Sequence, residues 1–194
     1  MSDEPIAFAS EAAWREWLAA NHGDADGVWI KFAKKASGLP SVRYAEAVEV
    51  ALTYGWIDGQ AKGIDDMHYL QRFTPRRKRS VWSKINRTKA EALIASGAME
   101  PAGLAEVERA KADGRWARAY DSPRTAVVPD DLRAALDADP EANRFFEELD
   151  GNNRYAILHR IQDAKRPETR ARRIAKFVEM CRRGETVHPR RDAR

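Results

Sequence analysis

The segment VWIKFAK, residues 28–34, has the alternating pattern of a β-strand, because Val28, Ile30 and Phe32 occupy every second position. Glycine and proline at positions 38 and 40 end this pattern. Two further short strands are predicted at WID (residues 56–58) and at HYLQRF (residues 68–73). We therefore expect a small sheet of about three strands in the N-terminal part of the chain.

Helical patterns flank these strands. Ser10 is predicted to cap a helix that runs through residues 11–18, where the acidic side chains lie near the positive end of the helix dipole. A second helix is predicted from Tyr44 to Tyr54, and Gly55 suits the left-handed residue that stops a helix. On this second helix the apolar stripe predicts a shared buried face for Tyr44, Val48, Ala51 and Leu52.

Beyond Pro75 every segment has a helical pattern. Caps, prolines and glycines place the predicted helices at residues 84–96, 101–114, from 129 onward, 141–149, 153–165 and 167–184. The predicted fold class is therefore α+β: a small N-terminal β-sheet packed by helices, followed by an all-helical C-terminal region.

A polar stretch with two prolines, from Ser122 to Pro129, is the candidate domain boundary. It predicts an α+β N-terminal region at residues 1–122 and a helical module at residues 123–187. The remaining residues, 188–194, form a basic tail that we expect to be frayed. The length of 194 residues fits one domain or two small ones.

Composition predicts a folded, cytoplasmic protein. Hydrophobic residues make up 43% of the chain and six residues are tryptophan, whereas disordered chains are poor in aromatic residues. No stretch approaches the roughly 20 apolar residues that span a bilayer, so no membrane span is expected. The N-terminus is acidic, unlike a secretory signal, and the single cysteine, Cys181, fits a reducing compartment. Cys181 lies on an apolar helical stripe, which predicts a thiol packed in the core.

The net charge of +4 hides a strong asymmetry. Residues 71–90 hold eight Lys or Arg and no acid, and residues 151–194 hold thirteen basic and five acidic side chains. The rest of the chain therefore carries a net charge of −12. Two concentrated basic segments in an otherwise acidic chain are more informative than the overall charge.

The sequence lacks the short motifs that carry known chemistry. No phosphate-binding GxxxxGK[ST] is present, and neither is a GxGxxG after a strand, an HExxH or a GxSxG. The four histidines are scattered, and none lies at ligand spacing from another histidine or from the cysteine. We therefore predict neither a metal nor a cofactor.

The first candidate segment is GWIDGQ, residues 55–60. Two glycines around an aromatic residue, an acid and an amide indicate a tight backbone path. Asp58 is a candidate general base or a carboxylate that orients a ligand, with Gln60 beside it. The alternative is that this segment only starts a strand and that Asp58 pairs with an arginine of the basic segment.

The second candidate segment is QRFTPRRKRSVWSKIN, residues 71–86. Its predicted donors to a phosphate or carboxylate are Arg72, Arg76 and Arg77, because guanidinium groups donate in a planar, bidentate fashion. Ser83 and Asn86, at the start of the next helix, are predicted to contribute hydrogen bonds. Trp82 either offers a stacking face for a ring or packs in the core, with the basic residues then simply solvated.

A third segment spans residues 153–174. Arg166, Arg170 and Arg173 are expected to lie close together if the turn at Pro167 is tight. The alternative, favoured for at least some of them, is that they neutralise acidic side chains of the N-terminal half.

Taken together, these segments resemble the YdeI/OmpD-associated family, also called bacteriocin-protection proteins. The resemblance extends over nearly the whole chain: residues 55–60 and 71–86 are similar to an N-terminal signature, and residues 128–174 to a helical module. It implies a bacterial protein linked to envelope or antimicrobial-peptide stress, and it implies no catalytic residues.

The leading hypothesis is a bacterial stress-associated protein that binds an anionic small molecule or protein partner at the residues named above. One rival is an enzyme acting on a phosphorylated or carboxylated small molecule, with Asp58 as base and Arg72 and Arg76 as clamps. A second rival is a weak, non-specific nucleic-acid binder. Sequence-specific nucleic-acid binding is not expected, because the acidic remainder of the chain would oppose it.

Overall fold

The computed structural model describes residues 4–189, and the chain divides into two compact units, Met1–Ala119 and Tyr120–Arg194. From residue 190 onward the basic tail predicted at residues 188–194 lies outside the described residues. The first unit contains strands and helices, whereas the described part of the second contains helices only. The predicted α+β class is therefore confirmed.

The N-terminal unit is built on an antiparallel sheet of three strands in the described residues, as the alternation predicted. The strands are β1 (Val28–Ala33), β2 (Trp56–Gly63) and β3 (His68–Pro75), in the order β1-β3-β2. Strand β2 runs five residues past its predicted end at Asp58. A register shift between Asp58 and Ala61, a bulge that includes Gly59, lets the strand continue its pairing with β3.

The two faces of the sheet differ in burial. Phe73 of β3 lies opposite Val28 of β1 and Asp58 of β2, so these three residues point to the same face. That face carries the buried side chains of β1 and packs against a tryptophan-rich core that includes Trp14 and Trp56. Residues of the opposite parity face away from this core, and among them Trp29 and Arg72 are half-buried.

Four α-helices complete the described part of the N-terminal unit: α1 (Glu11–Asn21), α2 (Tyr44–Thr53), α3 (Lys84–Ala95) and α4 (Pro101–Ala112). A short 3-10 helix, Lys35–Ser37, follows β1. The predicted caps are present, since the hydroxyl of Ser10 accepts from the backbone N–H of Ala13 and that of Ser83 accepts from Asn86.

Tyr44 does not share the buried face of α2, contrary to the prediction. It is 44% exposed, whereas Val48 and Leu52 are buried. Tyr44 is the first residue of the helix, and its hydroxyl donates a hydrogen bond to the Asp58 carboxylate at 2.6 Å. The polar end of the ring is therefore satisfied at the surface instead of in the core.

Helix α4 packs closely against the C-terminal end of α2. A Cβ atom on Gly103 would lie only 2.3 Å from the carbonyl oxygen of Thr53 and 2.9 Å from that of Leu52. Gly55 ends α2 with a φ of +74°, and a Cβ atom on it would lie 3.0 Å from the carbonyl oxygen of Ala102. Two glycines therefore permit the approach that brings α4 beside the end of β3.

The C-terminal unit contains α5 (Asp130–Asp137), α6 (Pro140–Glu147), α7 (Gly151–Gln162) and α8 (Pro167–Arg182). Helix α7 begins two residues earlier than predicted because Asp150 caps it, accepting from the backbone N–H of Asn153. Cys181 is buried as predicted, and burial raises the pKa of its thiol to about 11. Such a thiol stays protonated near neutral pH and is a packed core residue.

No helix in residues 4–189 is both long enough and apolar enough to cross a membrane. Over the same residues, no three His, Cys, Asp or Glu side chains come together as a set of metal ligands.

The close contact at Gly103 predicts that an alanine destabilises the protein at this position but not at Gly23. Gly103→Ala should lower the free energy of unfolding of the N-terminal unit by about 1–3 kcal/mol, because two backbone carbonyls cannot move aside easily. Gly23→Ala is the matched control, since no atom lies within 4 Å of its added methyl group. All six tryptophans lie within residues 1–119, so urea unfolding followed by tryptophan fluorescence reports this unit alone. Equal midpoints for the two variants would contradict the packing described.

Candidate anion-binding site

The basic segment does not form one continuous patch. Arg72 lies on β3, and Arg76 is the first residue after that strand and is only 4% exposed. Arg77, Lys78 and Arg79 follow in an exposed turn, and the remaining basic residues lie on α3. The eight basic residues within positions 71–90 are therefore divided among a strand, the core and two stretches of surface.

Arg76 is the structural anchor of the loop between β3 and α3. Its guanidinium carbon lies 3.6 Å from the centre of the Trp82 ring, which is a close cation–π contact. Its Nη1 donates to the carbonyl oxygen of Val81 at 3.2 Å, and its backbone N–H donates to Gly55 at 3.0 Å. Arg109 of α4 in turn donates to the Arg76 carbonyl oxygen at 3.4 Å. Both ends of the loop and helix α4 are therefore tied to one residue.

Trp82 is 1% exposed and packs edge-to-face with Trp116, with the ring centroids 4.8 Å apart. Its ring is therefore part of the core and is not available as a stacking face, so the core alternative describes it correctly. Its indole N–H is buried without a hydrogen-bond acceptor among the described residues. The Arg76 guanidinium covers one face of the ring in the way that a ligand was expected to do.

Hydrogen bonds also fix the backbone of the exposed turn. The backbone N–H of Arg77 donates to the Ser80 hydroxyl at 2.9 Å, and that of Ser80 donates back to the Arg77 carbonyl at 2.9 Å. Arg115, which follows α4, donates to the Ser80 carbonyl oxygen at 2.8 Å. These bonds fix the backbone of the turn, whereas residues 77–79 themselves are exposed.

Glu106 of α4 supplies a half-buried negative charge close to Arg109. Burial raises the pKa of its carboxyl group, and Arg109, Arg115 and Arg76 act in the opposite direction. Glu106 accepts a hydrogen bond from Arg109, and its side chain lies beside Gly55. A partly buried carboxylate next to three guanidinium groups offsets part of the cost of burying Arg76.

A cavity of about 370 Å³ lies at the end of β3 and is lined by Asp26, Arg72, Thr74, Pro75, Arg76 and Arg77. Three arginines, one carboxylate and one hydroxyl make this lining net positive. The volume is at the lower end of the range of about 300–1,000 Å³ that is usual for small-molecule pockets. Guanidinium groups around such a space suit a small phosphorylated or carboxylated molecule.

Two local features shape this cavity. Arg72 lies beside Trp29 of the neighbouring strand, with its guanidinium carbon 5.6 Å from the ring centre. Gly27 has a φ of +149°, and a Cβ there would lie 2.8 Å from the Thr74 methyl group. The glycine therefore lets the chain before β1 pass close to β3, which brings Asp26 to the rim.

Asp58 and Gln60 do not belong to this cavity. Asp58 lies opposite Phe73 and so points to the core-facing side of the sheet, whereas Arg72, one residue earlier in β3, points to the other side. The Asp58 carboxylate accepts a hydrogen bond from the Tyr44 hydroxyl. It does not pair with an arginine of the basic segment, which was the alternative given for this residue. Gln60 is exposed in the bulge of β2. The arrangement of Asp58 as base with Arg72 and Arg76 as clamps is therefore not assembled.

Ser83 and Asn86 also lie away from the cavity lining. The Ser83 hydroxyl accepts from the backbone N–H of Asn86 at 3.1 Å, which is the capping bond of α3. Both side chains are half-buried at the start of that helix. Of the eight residues predicted for the site, the cavity brings together Arg72, Arg76 and Arg77. Ligand binding stays a prediction for all of them.

Arg170 and Arg173 of the third segment pair within their own unit, which corrects for these two residues the expectation that they neutralise the N-terminal half. Arg170 donates to Asp131 through Nε and Nη2 at 2.6 and 2.8 Å. Arg173 donates to the Arg160 carbonyl and approaches Asp163 at 3.5 Å. Arg166 is exposed at the start of α8.

Sequence reasoning missed Asp26 and Thr74 in the cavity, and Glu106, Arg109 and Arg115 beneath it. Thr74 lies inside the segment that was singled out, so its place between two arginines was available as a signal. Asp26 and the α4 residues are about 30 to 50 positions away from the basic run, and only the packing of β1 and α4 brings them close.

Replacing Arg76 and Arg77 one at a time should separate their roles. Arg76→Ala should lower the free energy of unfolding by about 2–4 kcal/mol, because it opens a cavity over Trp82 and removes the donor to Val81. Arg77→Ala should change it by less than about 0.5 kcal/mol, since that side chain is exposed. Urea unfolding followed by tryptophan fluorescence measures both. Indistinguishable unfolding midpoints would show that Arg76 does not support the loop.

Two family models match different parts of the chain. Residues 6–106 match the family described as Domain of unknown function (DUF8412). Residues 125–184 match the family described as Bacteriocin-protection, YdeI or OmpD-Associated. No curated protein and no solved structure is significantly similar to the chain.

These matches confirm the family resemblance and correct its extent. The YdeI/OmpD-associated match is partial and covers the C-terminal helical unit, whereas residues 55–60 and 71–86 fall within the other family model. The match to residues 6–106 covers just over half of the 194 residues. The chain therefore belongs to the DUF8412 family, and its residues 125–184 are similar to the bacteriocin-protection, YdeI or OmpD-associated family.

Proposed function

We propose that the protein binds a small anionic ligand, carrying phosphate or carboxylate groups, in the cavity at the end of β3. The observation that carries this proposal is the convergence of Arg72, Arg76 and Arg77 on one space of about 370 Å³. Residues 71–90 contain no acidic side chain. We therefore expect an anionic partner at the place where several cations of this segment face the same space.

The lining residues have different roles in this proposal. Arg72 and Arg77 donate charge-assisted hydrogen bonds to the anion, and the Thr74 hydroxyl adds a neutral donor. Arg76 contributes its charge from a fixed position, because it is anchored over Trp82. The Asp26 carboxylate limits the positive charge and can accept a hydrogen bond from a ligand hydroxyl group.

The separation of Asp58 from the arginines supports binding over the enzymatic rival. Nucleic acid is not the proposed ligand either. Single-strand binding uses exposed aromatic rings as stacking platforms, and Trp82, the ring beside the basic turn, is buried. We expect any nucleic-acid binding to be weak, independent of sequence and lost at moderate salt.

Isothermal titration calorimetry with phosphate, pyrophosphate and citrate tests the proposal. Pyrophosphate and citrate should bind more tightly than phosphate, because they place two or more anionic groups among the arginines. Arg72→Ala and Arg77→Ala should each weaken binding roughly tenfold or more, equivalent to about 1.4 kcal/mol.

Arg79→Ala is the matched control for this titration. It removes the same charge from the same exposed turn, but Arg79 does not line the cavity. Binding should therefore be nearly unchanged in this variant. Equal losses in all three arginine variants would indicate non-specific attraction to the basic turn, and no binding of any of the three anions would contradict the proposal.

The C-terminal match supports a second part of the proposal, a role in bacterial envelope or antimicrobial-peptide stress, and a cytoplasmic location stays a prediction from the sequence. Its support is the description of the family that residues 125–184 match. Expression of the chain in a bacteriocin-sensitive bacterium should raise survival at a fixed bacteriocin dose. The Arg72→Ala, Arg77→Ala double variant should lose this effect if ligand binding underlies it, and unchanged survival with the unaltered chain would contradict the role.

A further inference from the structure

A mostly apolar groove runs between α5 and α8 in the C-terminal unit. Its volume is about 620 Å³, larger than that of the anion cavity. The floor is formed by Ala135 of α5 and by Ala171, Ile174, Ala175 and Val178 of α8. Ala171 and Ala175 are exposed, so the surface of α8 is accessible along two turns. The family models assign no role to this groove.

The groove residues of α8 are arranged symmetrically along the helix. The midpoint between Ile174 and Ala175 is also the midpoint between Ala171 and Val178. Arg170 and Glu179 are likewise equidistant, and so are the two ends of the groove at Pro167 and Arg182. Each pair combines a small residue with a larger one, or a positive charge with a negative one.

We infer that this surface binds a second copy of the chain, with the two α8 helices packed antiparallel about a two-fold axis near Ala175. In that arrangement Ala175 lies over the second copy's Ile174, which is only 8% exposed and forms part of the groove floor, and Ala171 meets the second copy's Val178. An isologous interface requires such self-complementarity, because every contact occurs twice. The alanines let the helix axes approach closely while the larger side chains fill the spaces above them.

Charge is also complementary in this arrangement. Each end of the interface brings together charged residues of both copies. One copy contributes Arg170 and Asp131, and the second copy contributes Arg182, Asp139 and Glu179. Arg170 already pairs with Asp131, and Glu179 with Arg182, within one chain. The dimer therefore extends two existing ion pairs into a mixed network, with no end carrying a single sign of charge. Exposed ion pairs contribute little energy, so their effect is mainly on register.

The size of the surface predicts a weak dimer. Helix α8 has 16 residues and is therefore about 24 Å long. Two such helices with the edges of α5 bury an area near the lower limit of about 1,000–1,200 Å² for specific interfaces. Association should accordingly depend on concentration.

Sedimentation velocity of the full chain, over a series from micromolar to millimolar concentrations, provides the first test. The unaltered chain should shift from monomer to dimer as concentration rises. Ala175→Arg should raise the dissociation constant at least about tenfold, because a long charged side chain lies at the two-fold axis. Ala92→Arg is the control: it makes the same substitution at an exposed position of α3 in the other unit and should leave association unchanged.

Cysteine cross-linking tests the register and stays informative if Ala175→Arg folds poorly. In the antiparallel pair, residues 175 of the two copies lie beside each other, whereas residues 171 are offset by seven residues, or about 10 Å. Disulfides require Cα atoms within about 7 Å, so Ala175→Cys should form a disulfide-linked dimer on mild oxidation and Ala171→Cys should not. The native Cys181 is buried and serves as the background in both. A monomer at every concentration, or equal cross-linking of the two variants, would overturn the inference.

Discussion

Burial of the Arg76 guanidinium against Trp82 determines how the rest of the N-terminal unit is arranged around the site. A buried cation is costly unless its charge is compensated. Here the compensation comes from the Trp82 ring at 3.6 Å, the Val81 carbonyl and the nearby carboxylate of Glu106. Because these groups belong to the loop and to α4, satisfying the one charge requires both to be in place.

The same requirement explains the glycines and arginines around Arg76. Helix α4 can come close enough only because Gly55 and Gly103 lack side chains at the end of α2. Once there, α4 and the residues after it return hydrogen bonds to the loop, through Arg109 to residue 76 and Arg115 to residue 80. The loop backbone is therefore fixed before any ligand arrives. The anion binding proposed for Arg72 and Arg77 would then require little ordering of the chain, which favours affinity.

Much of the fold could be predicted from the sequence because local rules determine it. Alternation located β1, and Ser10 and Ser83 located helix starts, since each capping side chain acts on a backbone group only three residues away. Tyr44 was misplaced because its apolar ring fits the helical stripe while its hydroxyl bonds to Asp58, fourteen residues on in another element. The full length of β2 depends on a bulge, which has no local hydrophobic signature.

The site was harder to predict than the fold for the same reason. Arg76 and Arg77 are adjacent and identical in chemistry, yet one is in the core and the other is in solvent. That difference is decided by Glu106, Arg109 and Trp116, which are 30 or more positions away in sequence. The strand register likewise separates Asp58 from Arg72, although both belong to segments that local composition marks as functional. Residue type predicted an anion-binding chemistry for the basic segment, and tertiary packing determined which of its arginines line the cavity.

Nuclear magnetic resonance of the arginine Nε–Hε groups during a pyrophosphate titration tests the central claim most directly. It observes the buried Arg76 together with Arg72 and Arg77, the residues proposed to bind the anion. The account predicts that the Arg76 proton exchanges slowly with solvent in the free protein. It also predicts that the signals of Arg72 and Arg77 shift saturably with one dissociation constant, while that of Arg79 stays in place. Rapid exchange at Arg76, or shifts at Arg79 with none at Arg72 and Arg77, would contradict it.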